Sequence, residues 1–368
     1  NKSADWLNPK SKAAKRPAQD TEILFLEQCH VYLREGGYLA IVIPDGILTN
    51  SSLQYVRDQI ESLYRIVAVV SMPQTAFAAT GAGVKSSVLF LQKYEQKQTK
   101  RIEDLRQRLQ DSARKKHNFT EKLANIESRK KDALKKQTGF AQTELSRRAA
   151  MQLVALREEN PEEKFEIEDT PAYAAWKKSL SEQFTEELDD LRFEAIETYQ
   201  AALRESQDDY QIFMAIAEEI GYDATGKATK KNDLNEIAQR LTAFLSEEKS
   251  GRQADDERVF LANLKEISGS LFDPKTYRPS SRALLARIAK SEYPVTTLRS
   301  LIVHRCAGDW GEDEDFIDED DLYEKCLVIR GTEFDNELNL RISNGREKYR
   351  KIKKIKLERM RIEANDIL

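Results

Sequence analysis

The chain has 368 residues, enough for about two or three domains, and a formal net charge of −4. One third of the residues are charged, and acidic residues slightly outnumber basic ones. Any affinity for nucleic acid must therefore come from local basic patches. No apolar run approaches the ~18 residues of a membrane span, so we expect no membrane partner. The three scattered cysteines predict a reducing, cytoplasmic location, and the three scattered histidines predict no metal site.

Three short apolar runs in the first quarter of the chain predict buried strands. They cover residues 38–43, 66–70 and 87–91, are rich in Val and Ile, and are bounded by Gly and Pro. The connection from Ser71 to Val84 shows no helical periodicity. A parallel crossover needs about a dozen residues or more and usually contains a helix. The third strand is therefore expected to run antiparallel to its neighbour.

Two helices are expected between and before these strands. Asp20 and Thr21 can cap the first helix, and Asn50, Ser51 and Ser52 can cap the second. The apolar residues that are expected to face the sheet from the two helices are Ile23, Leu24, Leu26, Val31, Leu53, Val56, Ile60 and Leu63.

Two stretches of this region resemble signatures of the N6-adenine DNA methyltransferases of type I restriction-modification systems. The first, residues 36–50, reads Gly-Gly-Tyr-Leu-Ala-Ile-Val-Ile-Pro-Asp-Gly-Ile-Leu-Thr-Asn. The second, residues 66–91, contains Ser71-Met72-Pro73, Phe77 and the run from Thr80 to Ser87. Together they cover 41 of the 368 residues. The resemblance implies an α/β fold containing the C-terminal half of a class I, Rossmann-like methyltransferase sheet.

The same resemblance implies that S-adenosylmethionine is the cofactor and that its site lies mostly outside this chain. Such enzymes need a Gly-rich cofactor loop and an Asn/Asp-Pro-Pro-aromatic tetrapeptide, and neither occurs in the sequence. Asn8-Pro9-Lys10 lacks the second proline and the aromatic residue. We therefore expect a fragment with no catalytic residue of its own, which is inactive alone.

A target-base loop is expected where the two signatures meet. Methylation of adenine inside a duplex requires the base to leave the stack and to be held by apolar or aromatic surfaces. Phe77 can stack on that base or serve as a buried anchor of the loop. Thr80 and Lys85 can contact phosphates or hold the turn, and the Lys85 charge is expected to be exposed. The remaining candidates for this loop and the adjoining strand end are Pro44, Asp45, Gly46, Asn50 and Gly81.

Two interpretations of Asp45 are possible. It follows the carboxyl end of a strand, where open α/β sheets place their ligands, so it can order the active-site loop. It can equally cap a turn.

The composition after Glu95 becomes rich in Lys, Arg, Glu, Gln, Ala and Leu, which predicts helices. A broken coiled-coil hairpin, a second helix from about Thr170 to Ala217, and a helix near 257–268 are expected. The helical part can pack on itself, clamp DNA, or bind a restriction or specificity subunit. The predicted domains are the C-terminal part of a catalytic domain (1–94), a helical insertion or coiled-coil arm (95–250), a helical linker (251–292), and the start of a DNA target-recognition domain (293–368).

Three further motifs need an interpretation. Residues 221–228 nearly spell a phosphate-binding loop, but Ala228 replaces the hydroxyl residue and the preceding run, 212–220, has a helical pattern. Residues 312–321 carry eight acids in ten and are expected to form a solvated loop. Residues 346–361 are basic, and the alternation in residues 353–357 favours strand or loop. The run can bind phosphates or simply confer solubility. The candidate DNA contacts in this run are Arg346, Lys348, Arg350, Lys351, Lys353, Lys354 and Lys356.

These features lead to one principal hypothesis. The chain belongs to a site-specific, S-adenosylmethionine-dependent adenine-N6 DNA methyltransferase, with double-stranded DNA as the partner and with modification and recognition parts in one polypeptide. The alternatives are a non-enzymatic DNA-binding or helical scaffold protein, and a methyltransferase that acts on RNA or protein.

Overall fold

The computed structural model describes residues 2–3, 6–7, 14–15, 19–246, 256–296, 310–318, 323–329 and 349–360. The chain divides into two compact units. One comprises Asn1–Lys122 and Leu191–Val295, and the other comprises Leu123–Asp190 and Thr296–Leu368.

Helices and strands occur in both units of the described part of the chain. The strands are β1 (Lys2–Ser3), β2 (Ala14–Lys15), β3 (Tyr38–Pro44), β4 (Tyr64–Ser71), β5 (Ser86–Lys93), β6 (Gln211–Ile216), β7 (Ile220–Tyr222), β8 (Ala228–Asn232), β9 (Val259–Asn263), β10 (Tyr323–Leu327) and β11 (Tyr349–Lys353). The α-helices are α1 (Thr21–Tyr32), α2 (Asp45–Thr49), α3 (Gln54–Leu63), α4 (Gln96–Lys116), α5 (Phe119–Lys135), α6 (Glu144–Glu159), α7 (Pro171–Ser206), α8 (Leu234–Leu245), α9 (Leu264–Ile267), α10 (Pro279–Ala289) and α11 (Lys354–Met360).

A five-stranded mixed sheet forms the centre of the first unit, in the order β3-β5-β4-β6-β9. Strand β5 lies between β3 and β4 and is antiparallel to both, with Leu89 opposite Ile41 on one side and Val69 on the other. Strand β6 runs parallel to β4, and β9 closes the edge in the antiparallel direction. The α/β class and the antiparallel third strand are therefore confirmed.

Both faces of this sheet are covered by apolar side chains. Ile60 of α3 packs with Ile66 and Leu89 on one face, and Ile237 of α8 packs with Val70 on the other. Because β4 is buried on both faces, its sequence is a nearly continuous apolar run with little alternation. Complete burial of each such Ile, Leu or Val side chain contributes about 1.5–3 kcal/mol.

Helix α1 packs on the sheet with fewer residues than the sequence predicts. Ile23 and Leu26 are buried, but Leu24 is 43% exposed and Val31 is 68% exposed. The expectation that all four face the sheet is therefore wrong for Leu24 and Val31. The apolar residues of α1 are spread around the helix, and one narrow side of it meets the sheet.

Two segments that the sequence analysis assigned to helices are strands. The predicted helix from Thr170 to Ala217 ends at Ser206, and residues 211–216 form the parallel strand β6. The predicted helix near 257–268 is strand β9 followed by the single-turn helix α9. A short apolar run that is buried on both faces cannot be told from a buried helix by periodicity alone, which explains both errors.

Two buried polar side chains of α3 tie distant parts of the first unit together. Glu61 accepts hydrogen bonds from Arg106 of α4 (2.6 Å), the Ser268 hydroxyl (2.7 Å) and the Gly269 amide (3.1 Å). Arg57, which is 1% exposed, donates to the carbonyl oxygens of Ile47, Asn50 and Ser270 and to the side chain of Gln54. The turn at 268–270 is thereby fixed to α3.

Burial and mutual attraction shift the pKa values of Glu61 and Arg106. Burial raises the pKa of the Glu61 carboxyl, against the opposing effect of Arg106 and of the two hydrogen bonds. Burial alone would lower the pKa of Arg106, but Glu61 and the neighbouring Asp58 outweigh this and raise it. The pair therefore depends on both partners being present.

The helical composition after Glu95 is confirmed for α4 to α7. The predicted break lies at His117–Asn118, where Asn118 adopts φ +47° between α4 and α5. In the second unit, the rings of Phe140, Tyr173 and Trp176 pack with centroids 5.1–5.3 Å apart.

Strands β10 and β11 form an antiparallel pair in the second unit, in register from Tyr323↔Lys353 to Leu327↔Tyr349. The expectation of strand or loop after Lys353 is wrong, because residues 354–360 form helix α11.

Candidate functional site

The carboxyl ends of β3 and β4 meet the start of β5 at one edge of the sheet. This follows from the antiparallel insertion of β5, which places Pro44 opposite Ser86 and Ser71 opposite Ser87. The backbone amide of Asp45 donates to the carbonyl of Lys85 at 2.9 Å, and the amide of Met72 donates to the carbonyl of Ser86 at 3.2 Å. The two predicted signatures are thus joined at this edge of the sheet.

Four polar side chains form a continuous chain of hydrogen bonds at this edge. Lys85 Nζ donates to Asp45 Oδ2 and, at 2.9 Å, to Ser71 Oγ. The Ser87 hydroxyl donates to Asp45 Oδ1 at 2.6 Å. Both serines are buried, and the Lys85 and Asp45 side chains are 20% and 15% exposed. We refer to Asp45, Ser71, Lys85 and Ser87 as the strand-end network.

The strand-end network changes the interpretation of two predicted residues. The expectation that the Lys85 charge is exposed is wrong, because Asp45 and Ser71 hold Nζ in a mostly buried position. The hydrogen bonds of the Asp45 side chain hold the two ends of the loop, and its role in an active site stays a prediction. Asp45 contacts Lys85, directly before β5, through its backbone amide and Oδ2, and Ser87 of β5 through Oδ1.

The loop from Met72 to Val84 is held in place by local hydrogen bonds. The Thr80 hydroxyl donates to the Phe77 carbonyl at 2.7 Å, and the Gln74 side chain donates to the Gly83 carbonyl at 2.8 Å. Gly81 adopts φ +83°, a conformation that a side chain disfavours. Residues 79–84 are exposed, so the loop presents its far end to solvent.

Phe77 lies between the loop and the core. It is half-buried and packs against the apolar cluster formed by Val70, Ala76 and Ile220 and their neighbours. Phe77 therefore anchors the loop to this apolar cluster. Stacking on a target base stays a prediction that a rotation of this side chain from its half-buried position would permit.

The other predicted residues of the first signature lie next to the strand-end network. Pro44 is the last residue of β3, and Gly46 lies in the first turn of α2. The Asn50 carbonyl accepts a hydrogen bond from the buried Arg57 at 3.0 Å. These three residues shape the backbone around Asp45.

A hairpin that the sequence analysis did not place, β7–β8, lies against the same loop. The hydroxyl of Tyr222 donates to the carbonyl of Ala76 at 3.0 Å. A Cβ atom on Gly226, at the tip, would lie 3.2 Å from the Cβ of Ala79. No local signal could have found this contact, since the two segments are about 150 positions apart and meet only through the tertiary fold.

The structure of this hairpin excludes a phosphate-binding loop at residues 221–228. The run before it is strand β6, so the helical pattern expected for residues 212–220 is wrong. Residues 221–228 form two strands and a tight turn, without the helix that a phosphate-binding loop requires. The Asp223 carboxylate accepts from the amides of Thr225 and Lys227, and hydrogen bonds from Thr225 lower its pKa. An acidic group thus occupies the amides that a phosphate would need.

The basic C-terminal run is partly engaged by the acidic loop in the second unit. Arg350 forms an ion pair with Asp313 and donates to the Trp310 carbonyl at 2.7 Å, while Lys351 donates to the Phe316 carbonyl. The expectation of a solvated loop holds for residues 312–317, which are exposed, and the Asp313 side chain is 76% exposed even in its ion pair. Lys353 lies over the Tyr323 ring at 5.6 Å. Lys354 and Lys356 lie on α11, and the predicted contacts Arg346 and Lys348 fall outside the described residues.

The described ranges of the chain contain neither a candidate metal cluster nor a candidate membrane span. No group of three or more His, Cys, Asp or Glu side chains there has the arrangement of a metal site. None of the helices in these ranges has the length and apolar character to cross a membrane.

Two solved structures are similar to parts of this chain. One, from a study of complex assembly and conformational transition of a type I restriction-modification system, is 27% identical, covers 23% of this chain and 17% of its own, and has a TM-score of 0.19. The other, from Listeria monocytogenes, is assigned to the class I S-adenosylmethionine-dependent methyltransferases. It is 24% identical, covers 26% of this chain and 29% of its own, and has a TM-score of 0.20. The chain therefore spans less than a third of either relative.

A search of curated proteins gives no match. The family comparison is informative, because residues 3–167 match the model of the N-6 DNA methylases. This segment contains both signatures, the strand-end network and the loop that carries Phe77. The resemblance to this family that the two signatures predicted is therefore confirmed over residues 3–167.

Proposed function

We propose that this chain is part of an S-adenosylmethionine-dependent methyltransferase that methylates adenine N6 in duplex DNA within a restriction-modification system. One observation carries the proposal. Inside the segment that matches the family, the strand-end network holds both ends of the Phe77 loop at the carboxyl edge of the sheet. Open α/β sheets bind their ligands at this edge.

The loop has the properties that a base-holding element needs. A flipped adenine is held by aromatic or apolar surfaces while its amino group faces the methyl donor. Phe77 offers an aromatic ring next to an exposed segment, and Val84 at the end of the loop is 58% exposed. Lys85 and Asp45 position this loop and do not themselves contact the base in the proposal.

The described residues do not by themselves fit the cofactor. Gly81 and Gly83 precede strand β5, whereas a glycine-rich turn that cradles a cofactor connects a strand to a helix. We therefore assign no step involving S-adenosylmethionine to the residues of this chain. The chain's contribution in the proposal is to hold the target base and the DNA.

The test uses the complete natural gene product, labelled S-adenosylmethionine and unmethylated duplex DNA, followed by nucleoside analysis. We expect labelled N6-methyladenine. Phe77→Leu keeps an apolar anchor but removes the ring, and should lower the rate at least tenfold. Phe90→Leu is the matched control, because Phe90 is half-buried against the same apolar cluster but lies within β5.

Equal rates in the two variants would remove Phe77 from the base site. Absence of transfer by a folded protein that binds the methyl donor would favour the scaffold alternative or another acceptor.

A further inference from the structure

The β7–β8 hairpin is firmly attached at its base and at its side. Ile220 is 5% exposed within the apolar cluster on the α8 face of the sheet. The Asp233 carboxylate, directly after β8, accepts from the amides of Glu218 and Glu219 at 2.9 Å and from Arg258 at 2.8 Å. Tyr222 fixes the hairpin to the Phe77 loop. The position of its outer strand is therefore defined before any ligand binds.

The outer strand carries a concentrated positive charge. Every residue of β8 is exposed. Between Tyr222 and Asn232 the chain has three lysines, Lys227, Lys230 and Lys231, against the single acid Asp223, in a protein whose net charge is −4. None of these lysine side chains forms an ion pair with an acidic group in the described parts of the chain. Their ammonium groups are thus available to an external anion.

We propose that the lysines of this hairpin bind the phosphate backbone of duplex DNA beside the Phe77 loop. This inference rests on the proposed function, which supplies DNA as the partner. A base can be held by the loop only if the flanking backbone is fixed nearby, and phosphate contacts provide that fixation without reading sequence. The hairpin is placed for this role by its hydrogen bond to Ala76, next to Phe77.

The geometry distinguishes this hairpin from the other basic segment. Arg350 and Lys351 already contact Asp313 and the carbonyl of Phe316, so DNA would have to displace these contacts. Lys227, Lys230 and Lys231 need no such displacement. The rigid attachment also reduces the conformational entropy that binding would otherwise cost.

The experiment measures equilibrium binding of the full-length protein to a duplex without methyl donor, over a range of salt concentrations. Each phosphate contact that is lost makes the plot of log affinity against log salt less steep by about 0.9. The triple variant Lys227→Gln, Lys230→Gln, Lys231→Gln should therefore reduce the slope by about 1 to 3. The control variant Lys97→Gln, Lys275→Gln, Lys290→Gln removes the same charge from exposed positions and should leave the slope unchanged.

A second measurement needs no variant. Acetylation of lysines, followed by mass spectrometry, should show that bound duplex protects Lys227, Lys230 and Lys231 and leaves Lys97, Lys275 and Lys290 reactive.

The outcomes separate the two proposals. Tight binding of DNA by the wild type with an unchanged slope in the triple variant, or with unprotected hairpin lysines, would overturn the hairpin site alone. Absence of duplex binding by the wild type at low salt would overturn the hairpin site together with the proposed function. A reduced slope in the triple variant, together with normal methyl transfer by the control variant, would support both the hairpin site and the proposed function.

Discussion

The ammonium group of Lys85 donates a hydrogen bond to the carboxylate of Asp45, although the two residues are 40 positions apart in the chain. The contact joins the end of β3 to the start of β5, and the second bond of Lys85, to Ser71, adds the end of β4. One mostly buried ion pair thus holds both ends of the candidate base loop.

Replacement of Lys85 by Met should destabilise the protein by about 1–3 kcal/mol, because the partly buried Asp45 carboxylate loses its cation. Denaturant unfolding of Lys85→Met, Asp45→Asn and the double variant measures this. The double variant should lose less than the sum of the single losses. Strictly additive losses would mean that the two side chains do not interact in solution.

The buried pair of Glu61 and Arg106 predicts a pH-dependent defect. Arg106→Met leaves the Glu61 carboxylate buried without its cation and should cost about 3–5 kcal/mol near pH 8. An acid whose pKa is raised on folding contributes stability at low pH that is lost as pH rises through its folded pKa. The deficit of Arg106→Met against wild type should therefore shrink as the pH falls towards about 4.

The control for this experiment is the double variant Glu61→Gln, Arg106→Met, in which the titrating group is gone. The difference between its free energy of unfolding and that of wild type should change less from pH 4 to pH 8 than the difference for Arg106→Met alone. A pH-independent deficit in the single variant would contradict the buried ion pair.

Asp233 predicts the opposite pH dependence. Partial burial acts to raise its pKa, but the amides of Glu219 and Glu218 and the guanidinium of Arg258 together lower it. The stability that a depressed carboxyl pKa provides is present above the unfolded pKa of about 3.9 and is lost as pH falls through the folded pKa. Asp233→Asn should therefore lower the free energy of unfolding by about 1–2 kcal/mol at neutral pH and leave it almost unchanged below the folded pKa of Asp233.

Thermal or urea unfolding at several pH values checks the Asp233 prediction. Asp132→Asn, at an exposed position of α5, is the matched control and should change stability by less than about 0.5 kcal/mol at any pH. A deficit of Asp233→Asn that persisted in acid would show that the charge of Asp233 is not what stabilises the hairpin base.

Arg57 should be among the most costly side chains to remove. Its replacement by Met leaves three buried or partly buried carbonyl groups, those of Ile47, Asn50 and Ser270, without their donor. We expect a loss of about 3–5 kcal/mol. Arg101→Met, which breaks only an exposed ion pair with Asp208, should cost less than about 1 kcal/mol.

Native-state hydrogen exchange would localise the Arg57 defect. The amide of Phe272, which donates to the Leu48 carbonyl, should lose protection in Arg57→Met and keep it in Arg101→Met. Equal protection in both variants would mean that the turn at 268–270 is held by other contacts.

The strands of the two signatures were predictable because their pattern is local. β-Branched apolar runs bounded by Gly and Pro identified β3, β4 and β5 to within two residues at each end. Strand β6 was not predictable in this way. Its apolar run, Ile212–Ile216, contains Met and Ala, follows a long helical stretch, and becomes a strand only because the open edge of β4 accepts its hydrogen bonds.

The candidate site was predictable in its members but not in its connections. The signatures named Asp45 and Lys85, yet the register of β5 decides that Ser71 and Ser87 complete the strand-end network. The docking of the hairpin on Ala76 is likewise a property of the folded sheet. Local sequence carries no information about either contact.

The order of strands in the central sheet has a consequence for synthesis of the protein. Strands β3, β4 and β5 are synthesised before β6, the partner of β4, which follows only after residues 94–210. During translation of that interval the hydrogen-bonding edge of β4 is unpaired, and an unpaired edge is a template for aggregation. Helices α4 to α7, which form from local contacts, emerge in the same interval. Productive folding of the nascent chain therefore requires that this edge be shielded until Gln211–Ile216 arrives.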